Sequence, residues 1–196
     1  VETTGNMSNA ANHMDYAGSE WRIGDTLQAA IGQSDSVFTP LQLAEYCAAV
    51  ANNGERHSAS ILKSIRNYDY SEKVYERQDE VLSTVESPQY NWDAIHEGMK
   101  EVINSPLNET NYLNFYDCAV TVAGKTGPAQ KGEGIKNDGL FICYAPYEDP
   151  EIAVAVVVER GHAGASVGFI ARQIVDVYLN IRSYSNTSES EMSLLK

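Results

Sequence analysis

Val122-Ala123-Gly124-Lys125-Thr126-Gly127-Pro128 is the stretch on which the reading of this chain turns. It continues the alternating run Cys118-Ala119-Val120-Thr121-Val122, so residues 118–127 are predicted to form one β-strand. At the end of that strand an ammonium (Lys125), a hydroxyl (Thr126) and a backbone without a side chain (Gly127) follow one another. Such a trio can hold a peptide that ends in a carboxylate beside a reactive centre. Pro128, next in line, has no backbone N–H to offer.

Downstream of this strand, Gly132-Glu133-Gly134 reads as a flexible loop and Leu140-Phe141-Ile142-Cys143-Tyr144-Ala145 as a second strand. A tight turn over Pro146 to Pro150 leads into Ile152-Ala153-Val154-Ala155-Val156-Val157-Val158. That run is apolar on both faces, which predicts a central strand covered on both sides. Residues 165–182 return to a helical period, with Phe169, Ile170, Ile174, Val177, Tyr178 and Ile181 as the stripe.

Upstream, Thr39-Pro40-Leu41-Gln42 is a capping box with proline at the first helical position. Leu43, Tyr46, Cys47 and Val50 recur at helical spacing, and Gly54 closes the helix. One or two short strands are predicted within residues 59–78, around Ile61–Ile65 and Val74-Tyr75. A second helix follows Pro88, with Trp92, Ile95, Met99, Val102 and Ile103 on one face, and stops before Pro106. Residues 1–23 read as a polar surface loop with little regular structure, and residues 183–196 as a polar tail. Antiparallel strands followed by a long amphipathic helix, with two earlier helices for the other face, predict a layered α+β domain.

The bulk properties exclude several function classes. With 43% hydrophobic and 21% charged residues, the 196-residue chain has the composition of a folded domain with a core. A formal net charge of −13 without a Lys/Arg cluster argues against nucleic acid as a partner. Cys47, Cys118 and Cys143 are widely spaced within predicted elements, as small core residues are. His96-Glu97-Gly98-Met99-Lys100 lacks the second histidine of a zinc helix, so neither metal nor cofactor is implied. No apolar run approaches the ~20 residues that cross a bilayer. The chain has no initiator Met and no signal peptide, which suggests a piece of something longer.

Several motifs occur in order: Ala30-Ile31-Gly32-Gln33, Thr39-Pro40-Leu41-Gln42-Leu43-Ala44, Val50-Ala51-Asn52-Asn53-Gly54 and Trp92…Glu97-Gly98-Met99. Ala123-Gly124-Lys125-Thr126-Gly127, Phe141…Tyr144-Ala145-Pro146 and Ala153–Glu159 complete the set. Over residues 24–182 the set resembles the C-terminal half of the transpeptidase domain of penicillin-binding proteins, in the serine β-lactamase-like superfamily. The resemblance implies an antiparallel sheet with helices on both faces, lacking the N-terminal part of the domain. It also implies a serine acyltransferase that crosslinks peptidoglycan stem peptides on the outer face of the bacterial cytoplasmic membrane. In that reaction a serine attacks the penultimate D-Ala carbonyl and D-Ala leaves. An acceptor amine resolves the acyl-enzyme, and β-lactams trap the serine.

Of the family's three active-site motifs only the third matches well. By the resemblance, Lys125 supplies positive potential and helps move a proton, Thr126 hydrogen-bonds the substrate carboxylate, and Gly127 lets the substrate backbone lie close. Position 128 supplies an oxyanion-hole N–H in the family, and Pro128 removes it. Candidates for the nucleophile motif are Ser60-Ile61-Leu62-Lys63 and Ser193-Leu194-Leu195-Lys196, both read as accidental, while Ser71-Glu72-Lys73 has the wrong spacing. For the second motif, Met7-Ser8-Asn9 lacks a spacer and Thr4-Gly5-Asn6 has threonine for serine. Gln33 and Pro40 match positions with structural roles, and His162 lies in a loop that can flank the cleft in this fold. The sequence therefore predicts a domain part that is inactive alone, with part of the core face of residues 118–158 exposed or capped by self-association. A non-catalytic scaffold is the alternative. A β-lactam sensor or β-lactamase is disfavoured by Thr39–Ala44.

Overall fold

The computed structural model describes residues 4–129, 134 and 136–179. Its centre is a three-stranded antiparallel sheet in the order β5 (Ala123–Ala129), β6 (Asp138–Ala145), β7 (Ile152–Val158). Register is continuous, from Ala123 opposite Tyr144 to Ala129 opposite Asp138, and from Gly139 opposite Val158 to Ala145 opposite Ile152.

Side chains alternate across this sheet. Phe141, Cys143 and Ala145 of β6 join Val154 and Val156 on one face. That face is closed by Val167, Ala171 and Val175 from α6 (Gly168–Tyr178) and the 3-10 turn before it, and by Phe115. On the other face Tyr144 and Ala123 pack with Cys47, Val50 and Ala51 of α3 (Pro40–Ala51) and Met99 of α4 (Gln89–Asn104). The layered α+β arrangement with helices on both faces is therefore present.

α3 starts where the capping box places it. The Thr39 hydroxyl accepts from the Gln42 N–H at 3.2 Å, and the Gln42 side chain accepts from the Thr39 N–H at 2.9 Å. Between α3 and α4 lie two two-stranded ribbons, β1 (Glu55–His57) with β4 (Val81–Thr84) and β2 (Ser64–Arg66) with β3 (Lys73–Glu76). The predicted pair within 59–78 corresponds to the β2–β3 hairpin, but its first strand starts at Ser64 and Ile61 stands in solvent.

Four expectations need correction. Residues 1–23 are more than loop: α1 (His13–Ala17) and the start of α2 (Ile23–Ala30) lie there, and Asn6 bridges to Val37. Their small polar residues hide this because the segment is held by side-chain hydrogen bonds rather than by an apolar stripe. The first strand starts at Ala123, not at 118, because Cys118 closes a turn on Phe115 after α5 (Glu109–Phe115). The run 152–158 is covered by helices on both faces, yet among the described residues it is an edge strand and β6 is central. Apolarity on both faces reports what covers a strand, not what flanks it.

Most of the stripe predicted for the last helix is its outer face; Ile170 instead packs partly buried against the core, and Ile181 lies outside the described residues. Phe169, Ile174, Val177 and Tyr178 are exposed, while Ala171, Arg172, Val175 and Asp176 are buried. An ion pair inside that buried face disguised it: the Arg172 Nε–H donates to Asp176 at 2.7 Å, and another guanidinium N–H donates to Asp117 at 2.7 Å. Trp92, Met99 and Phe141 are buried as predicted, and Phe169 is not. Gly132 and Glu133, and residues 183–196, lie outside the described residues.

Candidate functional site

β5 is an edge strand among the described residues, and it carries Lys125, Thr126, Gly127 and Pro128 opposite Ile142, Phe141, Leu140 and Gly139. Lys125 and Gly127 share the face that α3 and α4 cover, and Thr126 faces the α6 side. The Lys125 ammonium is exposed and donates to the Thr126 carbonyl at 2.6 Å, so nothing in the core claims it.

The two glycines of this strand differ in kind. A Cβ at Gly124 would stand 2.6 Å from the Ile142 carbonyl oxygen and 3.1 Å from the Ile103 side chain, so packing forbids it. A Cβ at Gly127 would meet only Leu140, at an ordinary 3.8 Å. Nor is Gly127 among the residues with positive φ. The fold of the described residues does not require glycine there.

The loop after β7 crosses the same strand. Gly164 is buried against it so closely that a Cβ would lie 2.7 Å from the Gly127 nitrogen and 3.1 Å from the Thr126 Cβ, and closer still to the Leu140 carbonyl oxygen. That crowding puts the Gly127 nitrogen on the β6 side of the strand. By antiparallel alternation the nitrogen of residue 128 then faces the open edge. A proline is tolerated there because the ladder loses no donor. His162, exposed in this loop at φ 67°, is anchored by its backbone N–H to the Asn137 carbonyl at 3.0 Å.

No alternative nucleophile motif gains support. Ser60 lies in an exposed turn in which its hydroxyl bonds to the backbone of Leu62, so Ser60 and Lys63 do not face each other along a helix. Ser193 and Lys196 lie outside the described residues. Asn6 and Ser8 are buried and engaged with Asp35 and its neighbours Ser34 and Ser36. Two of the three thiols are poor nucleophiles: burial pushes Cys47 up to about 12 and holds Cys143 well above its ordinary value. Among the described residues no three His, Cys, Asp or Glu side chains converge on a point that could hold a metal ion.

On the α4 side of the sheet a second polar group was not foreseen from sequence. The Tyr144 hydroxyl lies 2.5 Å from the His96 Nδ1, while His96 Nε2 is buried without a partner. Burial holds the His96 imidazole below its ordinary value, against the opposing pull of Asp93. Nothing in the spacing of His96 and Tyr144 signals that contact, because it is made across the layers.

With this geometry in place, comparison with known proteins is informative. The family model for the penicillin-binding protein transpeptidase domain matches residues 3–176. The peptidoglycan D,D-transpeptidase MrdA of Haemophilus influenzae is 33% identical over 180 residues, covering 83% of this chain and 27% of the relative. The chain thus spans about a quarter of the length of that curated relative. The crystal structure of Pseudomonas aeruginosa PBP2 in complex with WCK 5153 superimposes with a TM-score of 0.73 at 29% identity, over 91% of this chain and 39% of that one. Penicillin-binding protein A of M. tuberculosis, as its imipenem acyl-enzyme, gives 0.66 at 28% identity over 78% and 33% of the two chains.

Proposed function

Because the chain belongs to the penicillin-binding protein transpeptidase family, we propose that Lys125, Thr126 and Gly127 form the substrate-binding wall of a D,D-transpeptidase cleft. The observation that carries this reading is Gly127, a glycine on an open edge strand that its own fold does not require. A peptide or β-lactam laid along that edge approaches the backbone there. Its carboxylate meets the Thr126 hydroxyl, and the Lys125 ammonium holds positive potential over the reacting centre.

The nucleophilic serine and its base come from a part of the domain outside this sequence. The intact protein acts on peptidoglycan stem peptides outside the bacterial cytoplasmic membrane, and the β-lactams that acylate its relatives are its inhibitors. Among the described residues no helix is long and apolar enough to cross a membrane. We place the transpeptidase unit of this chain over the span of the family match, residues 3–176, so that most of residues 1–23 belongs to it.

Pro128 favours a second reading, a non-catalytic scaffold that keeps the fold. Removal of one oxyanion donor costs about 10²–10³ in rate. The two readings separate in one experiment: the 196-residue chain and the intact protein are incubated with a fluorescent penicillin. The chain alone stays unlabelled in both cases. Slow covalent labelling of the intact protein supports the transpeptidase, and no labelling supports the scaffold. A penicillin adduct on any serine of the isolated chain would falsify its predicted inactivity.

A further inference from the structure

The N-terminal segment holds a second constellation, independent of β5. The exposed Ser19 hydroxyl lies 3.3 Å from Nε2 of His13, and His13 Nδ1 is hydrogen-bonded to the Asp35 carboxylate. His13 is only 4% exposed, whereas Ser19 opens to solvent. A carboxylate on Nδ1 fixes the proton there and leaves Nε2 with its lone pair toward Ser19. Asp35 is held in turn: its carbonyl accepts from the Asn6 amide at 2.7 Å, and its carboxylate lies 3.5 Å from the buried Ser8 hydroxyl. The Trp21 ring stands nearly perpendicular to the imidazole, 5.2 Å between centroids. The orientation of the base is thus determined from several sides by elements that are 22 residues apart in sequence.

We propose that Ser19, His13 and Asp35 form a nucleophilic triad that hydrolyses small neutral carboxylic esters. Nucleophile, base and orienting carboxylate stand in hydrogen-bonded sequence, the arrangement that activates a serine on unrelated folds. Among the described residues the backbone N–H groups of Ser19 and Glu20 take no backbone hydrogen-bond partner. The charge around the site sets the substrate class. An Asp25 carboxylate oxygen lies 3.7 Å from His13 Nε2, and Glu20 follows Ser19 directly. These carboxylates repel anionic acyl donors, penicillins included.

In the first step Ser19 Oγ bonds to the ester carbonyl carbon and its proton passes to His13 Nε2. The carbon–oxygen bond to the alcohol then breaks, and His13 returns that proton to the departing alcohol. In the second step water attacks the acyl-serine, giving its proton to His13. The serine–acyl bond breaks, Ser19 Oγ recovers the proton, and a carboxylic acid leaves.

The test uses the complete chain with p-nitrophenyl acetate, and a fluorophosphonate probe mapped by mass spectrometry. The expected result is probe attached at Ser19 and ester hydrolysis lost at least tenfold in Ser19→Ala. That exposed change leaves the melt in place, so a fall in rate is not a fall in folding. Asp35→Asn, which keeps the shape and loses the proton-fixing charge, is expected to lower both labelling and turnover while circular dichroism stays unchanged. Absence of probe at Ser19, or hydrolysis by Ser19→Ala at the parent rate, overturns the proposal. Neither result bears on Lys125, Thr126 and Gly127, which the penicillin experiment addresses separately.

Discussion

Two glycines three residues apart on β5 divide packing from function. At Gly124 a methyl group would press on the Ile142 carbonyl and on Ile103, whereas at Gly127 it would find ordinary contact with Leu140. Gly124→Ala is therefore expected to destabilise the chain by about 1–3 kcal/mol, the usual cost of overpacking a core. Gly127→Ala should leave the melting temperature where it is and weaken β-lactam acylation in the intact protein. Equal destabilisation by both changes in a denaturant titration would remove the functional reading of Gly127. At the next position, Pro128→Thr restores an N–H at the open edge. Stopped-flow acylation of the intact protein by a β-lactam should then be faster by up to about 10²–10³. Equal rates for both forms would show that the edge at 128 is not the oxyanion site.

The elements show where sequence pattern informs and where it misleads. α3 was legible to the residue because its signals are local: a Thr39–Gln42 capping box, proline at the first position and Gly54 after the end. β6 was legible because residues 140–145 are an unbroken apolar run that stops at Pro146. α6 was misread because Arg172 and Asp176 are among its buried residues. A periodicity argument assigns such residues to solvent, whereas Asp117 and the Asn114 carbonyl, 55 and 58 positions away, accept from the buried Arg172. The two proposed sites differ in the same way: the Lys125-Thr126-Gly127 motif is contiguous in sequence, whereas His13, Ser19 and Asp35 meet only through folding. Arg172→Met, which removes the buried ion pair with Asp176, is expected to cost about 3–5 kcal/mol. Chemical denaturation measures it, and a loss below 1 kcal/mol would reduce the network to a surface-type pair. α4 carries a pH effect as well. His96 is held below its ordinary value by burial, so the unfolded chain binds its proton more readily. Its contribution is whole above the ordinary histidine range, ~6.5, and is lost as pH falls below that toward the folded value. The His96→Phe variant should show a flatter dependence of stability on pH in that acidic window, and an unchanged slope would exclude His96 as the cause.

Across the whole molecule, the described residues leave apolar surface that has no cover. α2 buries none of its residues and exposes Ile23 and Leu27, with Ile31 just after it, on one side at i, i+4, i+8 spacing. The outer side of α6 exposes Phe169, Ile174 and Val177, and the far edge of β7 carries unpaired backbone groups among the described residues. Surfaces of this kind are covered in a complete domain or by another copy. The net charge of −13 works against association of identical chains, because every copy carries the same sign. Salt screens that repulsion over a Debye length of about 10 Å at 0.1 M and about 3 Å at 1 M, while apolar burial persists. The isolated chain is therefore expected to self-associate, with an apparent mass that rises with concentration and with ionic strength. Light scattering at low and high salt measures this directly. Charging the exposed stripe with Leu27→Glu should lower the mass at high salt without lowering the melting temperature, since that side chain supports no core. A monomer at every concentration and salt, with a cooperative melt, would mean that these faces are stable in water on their own. In that case their exposure would carry no information about what the rest of the domain covers.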